Sequence, residues 1–124
     1  MKLHPDPSSV LNTVTGYGDG YVEINARRFD SSIIVGPEWP AEPWPLASLD
    51  DLTPAHFDRL IEIGPDIVLF GTGRRQRFPS PRLTQPLLVR RIGIEIMDTP
   101  AACRTYNILM AEGRLVMAAL LLEK

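Results

Sequence analysis

Residues 66–73 read Asp-Ile-Val-Leu-Phe-Gly-Thr-Gly, and residues 93–100 read Gly-Ile-Glu-Ile-Met-Asp-Thr-Pro. In the first stretch Ile67, Val68, Leu69 and Phe70 are consecutive rather than alternating, the pattern of a strand buried on both faces. The second supplies another β run, Ile94 to Met97, followed by Thr99-Pro100, which reads as a helix cap with proline in the first turn. Between them a helix is predicted from Pro81 or Thr84 to Arg91, with Gly93 ending it; Pro86 is tolerated only if Thr84 is the cap. Strand, helix, strand at this spacing is a βαβ unit, whose right-handed crossover makes the two strands parallel. Their carboxyl ends then open on one rim, with the turn after Phe70 beside the turn after Met97.

Outward from this unit, Ala101 to Glu112 reads as a helix stopped by Gly113, and Leu115 to Leu122 as the last strand. Toward the N-terminus, Thr53-Pro54 opens a helix that carries Phe57, Leu60 and Ile61 at helical spacing and closes at Gly64. Leu11 to Tyr17 and Tyr21 to Asn25 flank Gly18-Asp19-Gly20 and read as a hairpin. Ser32 to Val35 is a further strand. Gly36 to Pro45 interleaves Pro37, Pro40, Pro43 and Pro45 with Trp39 and Trp44, and so many prolines predict an extended, polyproline-like loop. The expected fold is α/β: a single three-layer domain over residues 11–124, with a central mixed sheet flanked by helices, an N-terminal β-hairpin and an irregular stretch at residues 1–10.

The chain has 124 residues, 44% hydrophobic and 23% charged, with a net charge of -2, which disfavours disorder, collagen and coiled coil. Cys103 is the only cysteine. That excludes an internal disulfide and any multi-cysteine metal site, and it points to a reducing compartment. Met1 to Val10 has no apolar stretch fit for a signal peptide, and the run Met117 to Leu122 is far shorter than a membrane span. A soluble, cytoplasmic protein is expected.

Charge is divided along the chain. Residues 1–66 hold eleven acids and four bases, whereas residues 67–124 hold four acids and nine bases. Between Asp66 and Glu95 lie Arg74, Arg75, Arg77, Arg82, Arg90 and Arg91 with no acid among them. Such a run is either a solvated face or a surface for an acidic partner. Overall acidity and the lack of a recognised motif argue against nucleic acid.

Chemistry-bearing residues gather at the rim. Gly71, Thr72 and Gly73 are placed beside Asp98 and Thr99, and the helix opening at Thr99 aims free N–H groups that way, with Arg74, Arg75 and Arg104 near in sequence. A small anion can be held there; alternatively Thr99 caps its own helix, Asp98 pairs with an arginine, and the glycines make a tight turn. Gly-Thr-Gly matches neither a P-loop nor a dinucleotide fingerprint. Cys103 falls in the first turns of the same helix, where a dipole lowers a thiol pKa, but a cysteine among Ala101, Ala102 and Tyr106 reads as packed core. Neither His4 nor His56 has a spacing that suggests a nucleophile–base pair, and no ligand set for a metal is present. Asn107, in a helix interior, either ties its helix to the Gly71 loop or contacts a ligand. Trp39 and Trp44 either cover a core edge or anchor a partner.

The blocks Phe70-Gly71-Thr72-Gly73, Glu95-Ile96-Met97-Asp98-Thr99, Ala102-Cys103-Arg104-Thr105-Tyr106-Asn107 and Ala111-Glu112-Gly113-Arg114 resemble domain-of-unknown-function family 498. The likeness runs from about Thr15 onward, with Ser31-Ser32 and Trp44-Pro45 also fitting. This family includes the third assembly factor of mitochondrial respiratory complex I and an adipogenesis-associated animal protein. The resemblance implies a three-layer α/β domain without established enzymatic activity, a protein partner, and an exposed pocket near Gly71, Gly73, Asp98 and Asn107. The resulting expectation is a non-catalytic interaction or assembly module without cofactor or metal, meeting its partner through Trp39, Trp44, Arg75 and Arg77. The alternative is a binder of, or enzyme acting on, a small anionic ligand at Gly71, Thr72, Gly73, Arg74, Asp98, Thr99, Arg104 and Asn107.

Overall fold

The computed structural model describes residues 10–123. In chain order its main elements are β1 (Val14–Gly18), β2 (Tyr21–Ile24), β3 (Arg27–Phe29), β4 (Ile33–Gly36), β5 (Trp39–Pro43), α1 (Asp58–Ile63), β6 (Ile67–Gly71), α2 (Pro81–Val89), β7 (Gly93–Met97), α3 (Thr99–Ala111) and β8 (Val116–Leu120). The expected irregular N-terminus, including His4, lies outside the described residues except for Val10.

β4 to β8 form a mixed sheet in the order β5-β4-β8-β6-β7. β6 and β7 are parallel, as the βαβ reading requires, with Gly71 opposite Met97. β8 is parallel to β6 and antiparallel to β4, so the last strand in sequence is the middle strand in space. Its five residues are all buried, which explains an apolar run without alternation.

Successive side chains go to opposite faces. Ile33 and Val35 of β4, Leu69 of β6 and Val116, Ala118 and Leu120 of β8 share one cluster with Ala102, Cys103 and Tyr106 of α3 and Val14, Val22 and Ile24 of the small sheet. Ile34, Val68, Phe70, Met117 and Ala119 belong to a second cluster with Trp44, Leu46, Phe57, Leu60 and Leu87. The three-layer α/β fold follows from that division.

The expected N-terminal hairpin forms from β1 and β2, and three further readings are corrected. The hairpin is part of a three-stranded sheet, β1-β2-β3, because Asn25 and Ala26 both take positive φ (49° and 68°) and turn the chain again. β5 is a strand rather than a polyproline-like loop; it pairs antiparallel with β4 at the sheet edge, where a missing proline N–H leaves no central ladder bond unmade. α2 takes the first of its two expected starts, Pro81 after Ser80, which puts Pro86 in the helix interior rather than its first turn. Its last helical residue is Val89, and Arg91 rather than Gly93 closes it: Arg91 takes φ 59°, its N–H bonds Leu88 O, and the Ile92 N–H bonds Leu87 O, a Schellman closure. The first helix opens as a 3-10 turn, Pro54–Phe57, before α1, and Gly64 closes it at φ 74°.

Candidate functional site

The parallel pairing of β6 and β7 brings Gly71-Thr72-Gly73 against Asp98-Thr99. Two backbone bonds fasten the junction: the Thr72 N–H donates to Met97 O at 2.8 Å and the Thr99 N–H to Gly73 O at 2.8 Å. The buried Thr99 hydroxyl accepts from the Gly73 N–H at 2.8 Å and donates to Leu121 O at 2.8 Å, coupling the rim to the end of the central strand. A Cβ at Gly71 would lie 2.9 Å from the Thr99 Cα, so only glycine allows α3 this close. Gly73 has φ +100°, and a Cβ there would run into the Glu123 carboxylate. The Thr72 hydroxyl donates to Arg75 O at 2.7 Å and accepts from the Arg77 N–H at 3.2 Å, curling the arginine loop back on itself.

Asp98, not Thr99, caps α3: its carboxylate accepts from the Ala101 N–H at 2.7 Å. A fixed negative charge therefore occupies the helix terminus where an anion would be drawn. Arg74 pairs with Asp19 at 2.7 Å, and Arg104 donates to the Tyr17 hydroxyl at 3.0 Å. Both reach the β1–β2 tip. Between that tip and the rim is a cleft of about 340 Å³, lined by Tyr17, Gly20, Tyr21, Gly73, Arg74 and Thr99 among others.

Asn107 does not reach the Gly71 loop. Its amide nitrogen donates to Val14 O at 2.8 Å and its oxygen accepts from the Val14 N–H at 2.9 Å. One side chain thus gives β1 the pair of bonds a neighbouring strand would provide. Tyr106, one residue before it, donates to Asn12 O at 2.7 Å. Cys103 is core: burial pushes its thiol up to about 12, the reverse of the activation a helix terminus gives an exposed thiol. His56 is engaged locally. Its Nδ1 accepts from the Thr53 N–H at 2.9 Å and its Nε2 faces Pro45 O at 2.9 Å. Among the described residues no group of three His, Cys, Asp or Glu is placed to hold a metal.

The partner-binding candidates separate. Trp44 is 4% exposed, donates to His56 O at 2.8 Å and meets Phe70 edge-on at 5.5 Å. It is a core residue, which removes it from the surface. Trp39 is half-buried on the edge strand, donating to the Glu42 carboxylate at 3.0 Å beneath the Arg59 guanidinium. Bonds from Arg59 and Trp39 hold the Glu42 carboxyl below the usual carboxylate range. Arg77 pairs with Glu123 at 3.1 Å, whereas Arg75 is exposed and has no ion pair among the described residues.

At the opposite pole, where β6 and β8 begin, a second cleft of about 340 Å³ is lined by Leu11, Trp39, Ile63, Met110, Leu115 and Met117 among others. Apart from Trp39, the sequence reading misses these residues. Leu115, the first residue of the expected strand Leu115 to Leu122, falls just outside the observed one, being 62% exposed directly before the wholly buried β8.

A bovine protein, "NADH dehydrogenase [ubiquinone] 1 alpha subcomplex assembly factor 3", is 38% identical over 123 residues, covering 98% of this chain and 66% of its own length. The chain thus spans just under two thirds of that relative. A crystal structure of a Bordetella parapertussis protein is 48% identical, covers 94% of this chain and all of its own, and superposes with a TM-score of 0.88. A solution structure from Bordetella pertussis, described as a Mth938-like domain, is 42% identical over 99% of this chain and 93% of its own, with a TM-score of 0.82. Residues 14–121, from β1 through the end of β8, match the family described as "Protein of unknown function (DUF498/DUF598)", and the chain belongs to that family.

Proposed function

We propose that this protein is a non-catalytic assembly module that holds a protein partner, in the manner its relatives' name indicates for a multisubunit NADH dehydrogenase. The observation that carries this reading is the likeness to an assembly factor over 98% of the chain. The rim chemistry supports it. The side chains of Thr72, Asp98, Thr99 and Asn107 are hydrogen-bonded within the protein, and the Cys103 thiol is buried. The Trp39 cleft is the contact surface, because an apolar recess at the ends of the strands suits an anchoring side chain from a partner. A cytoplasmic setting goes with this reading, since the one cysteine is free and buried. Among the described residues no helix is long and apolar enough to cross a membrane.

Deleting the gene in its source cell and resolving NADH dehydrogenase on native gels tests the reading. Subassemblies should accumulate, and Leu115→Glu, which puts a charge in the cleft, should fail to restore the full complex while remaining folded. A full complement of assembled enzyme in the deletion strain would remove the proposal's support.

A small anion at the rim is the second reading, favoured by the Arg74-lined cleft of about 340 Å³. A thermal-shift screen of phosphates, nucleotides and carboxylates tests it, because a ligand at about 100 times its Kd stabilises by roughly 2.7 kcal/mol. No shift in the screen defeats this reading and leaves the first untouched.

A further inference from the structure

The side of α2 turned away from the sheet is apolar and basic together. At about 100° per residue, positions 81, 82, 85, 88 and 89 fall within a third of the helix circumference, and all five are exposed. Leu88 and Val89 are 57% and 69% exposed, and Phe78, just before the helix, is 71% exposed. Single exposed apolar side chains are ordinary. Here Arg82 shares the face with Leu88 and Val89, and Arg90 and Arg91 follow them directly in sequence. Arg75, Arg82, Arg90 and Arg91 are exposed and have no ion pair among the described residues, whereas their neighbours Arg74 and Arg77 pair with Asp19 and Glu123. No acid occurs between Asp66 and Glu95 to quench them.

The shape of this face decides between occupants. Neither cleft of about 340 Å³ takes a lining residue from residues 75–92, so this face offers no groove to seat a peptide. A short convex helix with projecting apolar side chains suits a deformable surface. Phe78, Leu88 and Val89 can enter the boundary between headgroups and acyl chains while the arginine stems lie along it and their guanidinium groups meet phosphates. We propose that the outer face of α2, with Phe78 and its flanking arginines, docks this protein on bilayers rich in anionic lipid. The charge complementarity of four unpaired arginines with such headgroups carries the inference, and each contributes roughly fivefold in affinity near an anionic membrane. This surface is separate from the Trp39 cleft.

Flotation of the full chain with vesicles tests it. The protein should float with vesicles of phosphatidylcholine plus phosphatidylglycerol, should not float with phosphatidylcholine alone, and should be released by high salt. Arg82→Glu with Arg90→Glu should lower binding by roughly 25-fold or more, and Phe78→Ser several-fold, with the cooperative thermal transition retained because all three side chains are exposed. Leu115→Glu should float like the parent, so loss of partner assembly and loss of membrane binding are read separately. No flotation with anionic vesicles, equal flotation with neutral ones, undiminished binding by the charge variants, or binding to an acidic amphipathic peptide in place of vesicles would each overturn the proposal.

Discussion

Thr99 shows how one hydroxyl fixes the rim. It sits between the Gly73 N–H and Leu121 O, both 2.8 Å away, in a buried position. Thr99→Val keeps the shape but leaves a donor and an acceptor without partners, a loss of about 2–4 kcal/mol. Thr99→Ser keeps the hydroxyl and should recover most of that in urea denaturation. Equal stability of the valine variant and the parent would mean that the hydroxyl does not join the two turns. Cys103 makes a second residue-scale prediction. With its thiol raised to about 12 by burial, it stays protonated at pH 8 and should resist a thiol reagent until denaturant is added. Stoichiometric labelling of the folded protein would contradict the packing described. The sequence makes this core character legible, because alanines and a tyrosine surround the cysteine; it does not show that Asn107 reaches β1, since nothing in residues 99–111 specifies which distant backbone lies over the helix.

At the scale of elements, β5 is held to α1 by charge. Arg59 lies 2.8 Å from Glu42 and also pairs with Glu62, while Trp39 donates to Glu42 from the same strand. Because the folded-state pKa of Glu42 is depressed, its contribution is present above the unfolded value and is lost as pH falls through the folded one. Glu42→Gln should therefore cost about 1 kcal/mol or less near neutrality, the pair being partly exposed, and the two stability curves should converge below about pH 4, the unfolded range of a glutamate. Curves that stay parallel into acid would assign the interaction to packing instead. Elements with standard punctuation, such as Thr53-Pro54, Gly64 and Gly113, are readable from sequence. Those with substitute residues are not. Arg91 does a glycine's work at the end of α2, Asn25-Ala26 turns where a glycine pair is the usual signal, and Pro40 and Pro43 hide a strand that only its edge position permits.

At the scale of the molecule, the parallel pair β6 and β7 is legible because its connection is short and its helix well marked, but the neighbours of β8 are not. Five consecutive apolar residues say that a strand is buried on both faces without saying between which strands it lies. In the fold β8 separates β4 from β6, so every bond joining the N-terminal half of the sheet to the βαβ unit runs through it. It also supplies Val116, Ala118 and Leu120 to one core cluster and Met117 and Ala119 to the other. The two faces of the protein are thus completed by one terminal segment. A chain ended after Leu115 should show no cooperative thermal transition and should be degraded by protease throughout, rather than retaining a stable β6-α2-β7-α3 fragment. Adding residues 116–124 as a separate peptide should restore protection, because the strand completes both core clusters. A truncated chain that melts cooperatively and resists protease would show that the βαβ unit carries its own core, and that β8 seals the fold without being required to form it.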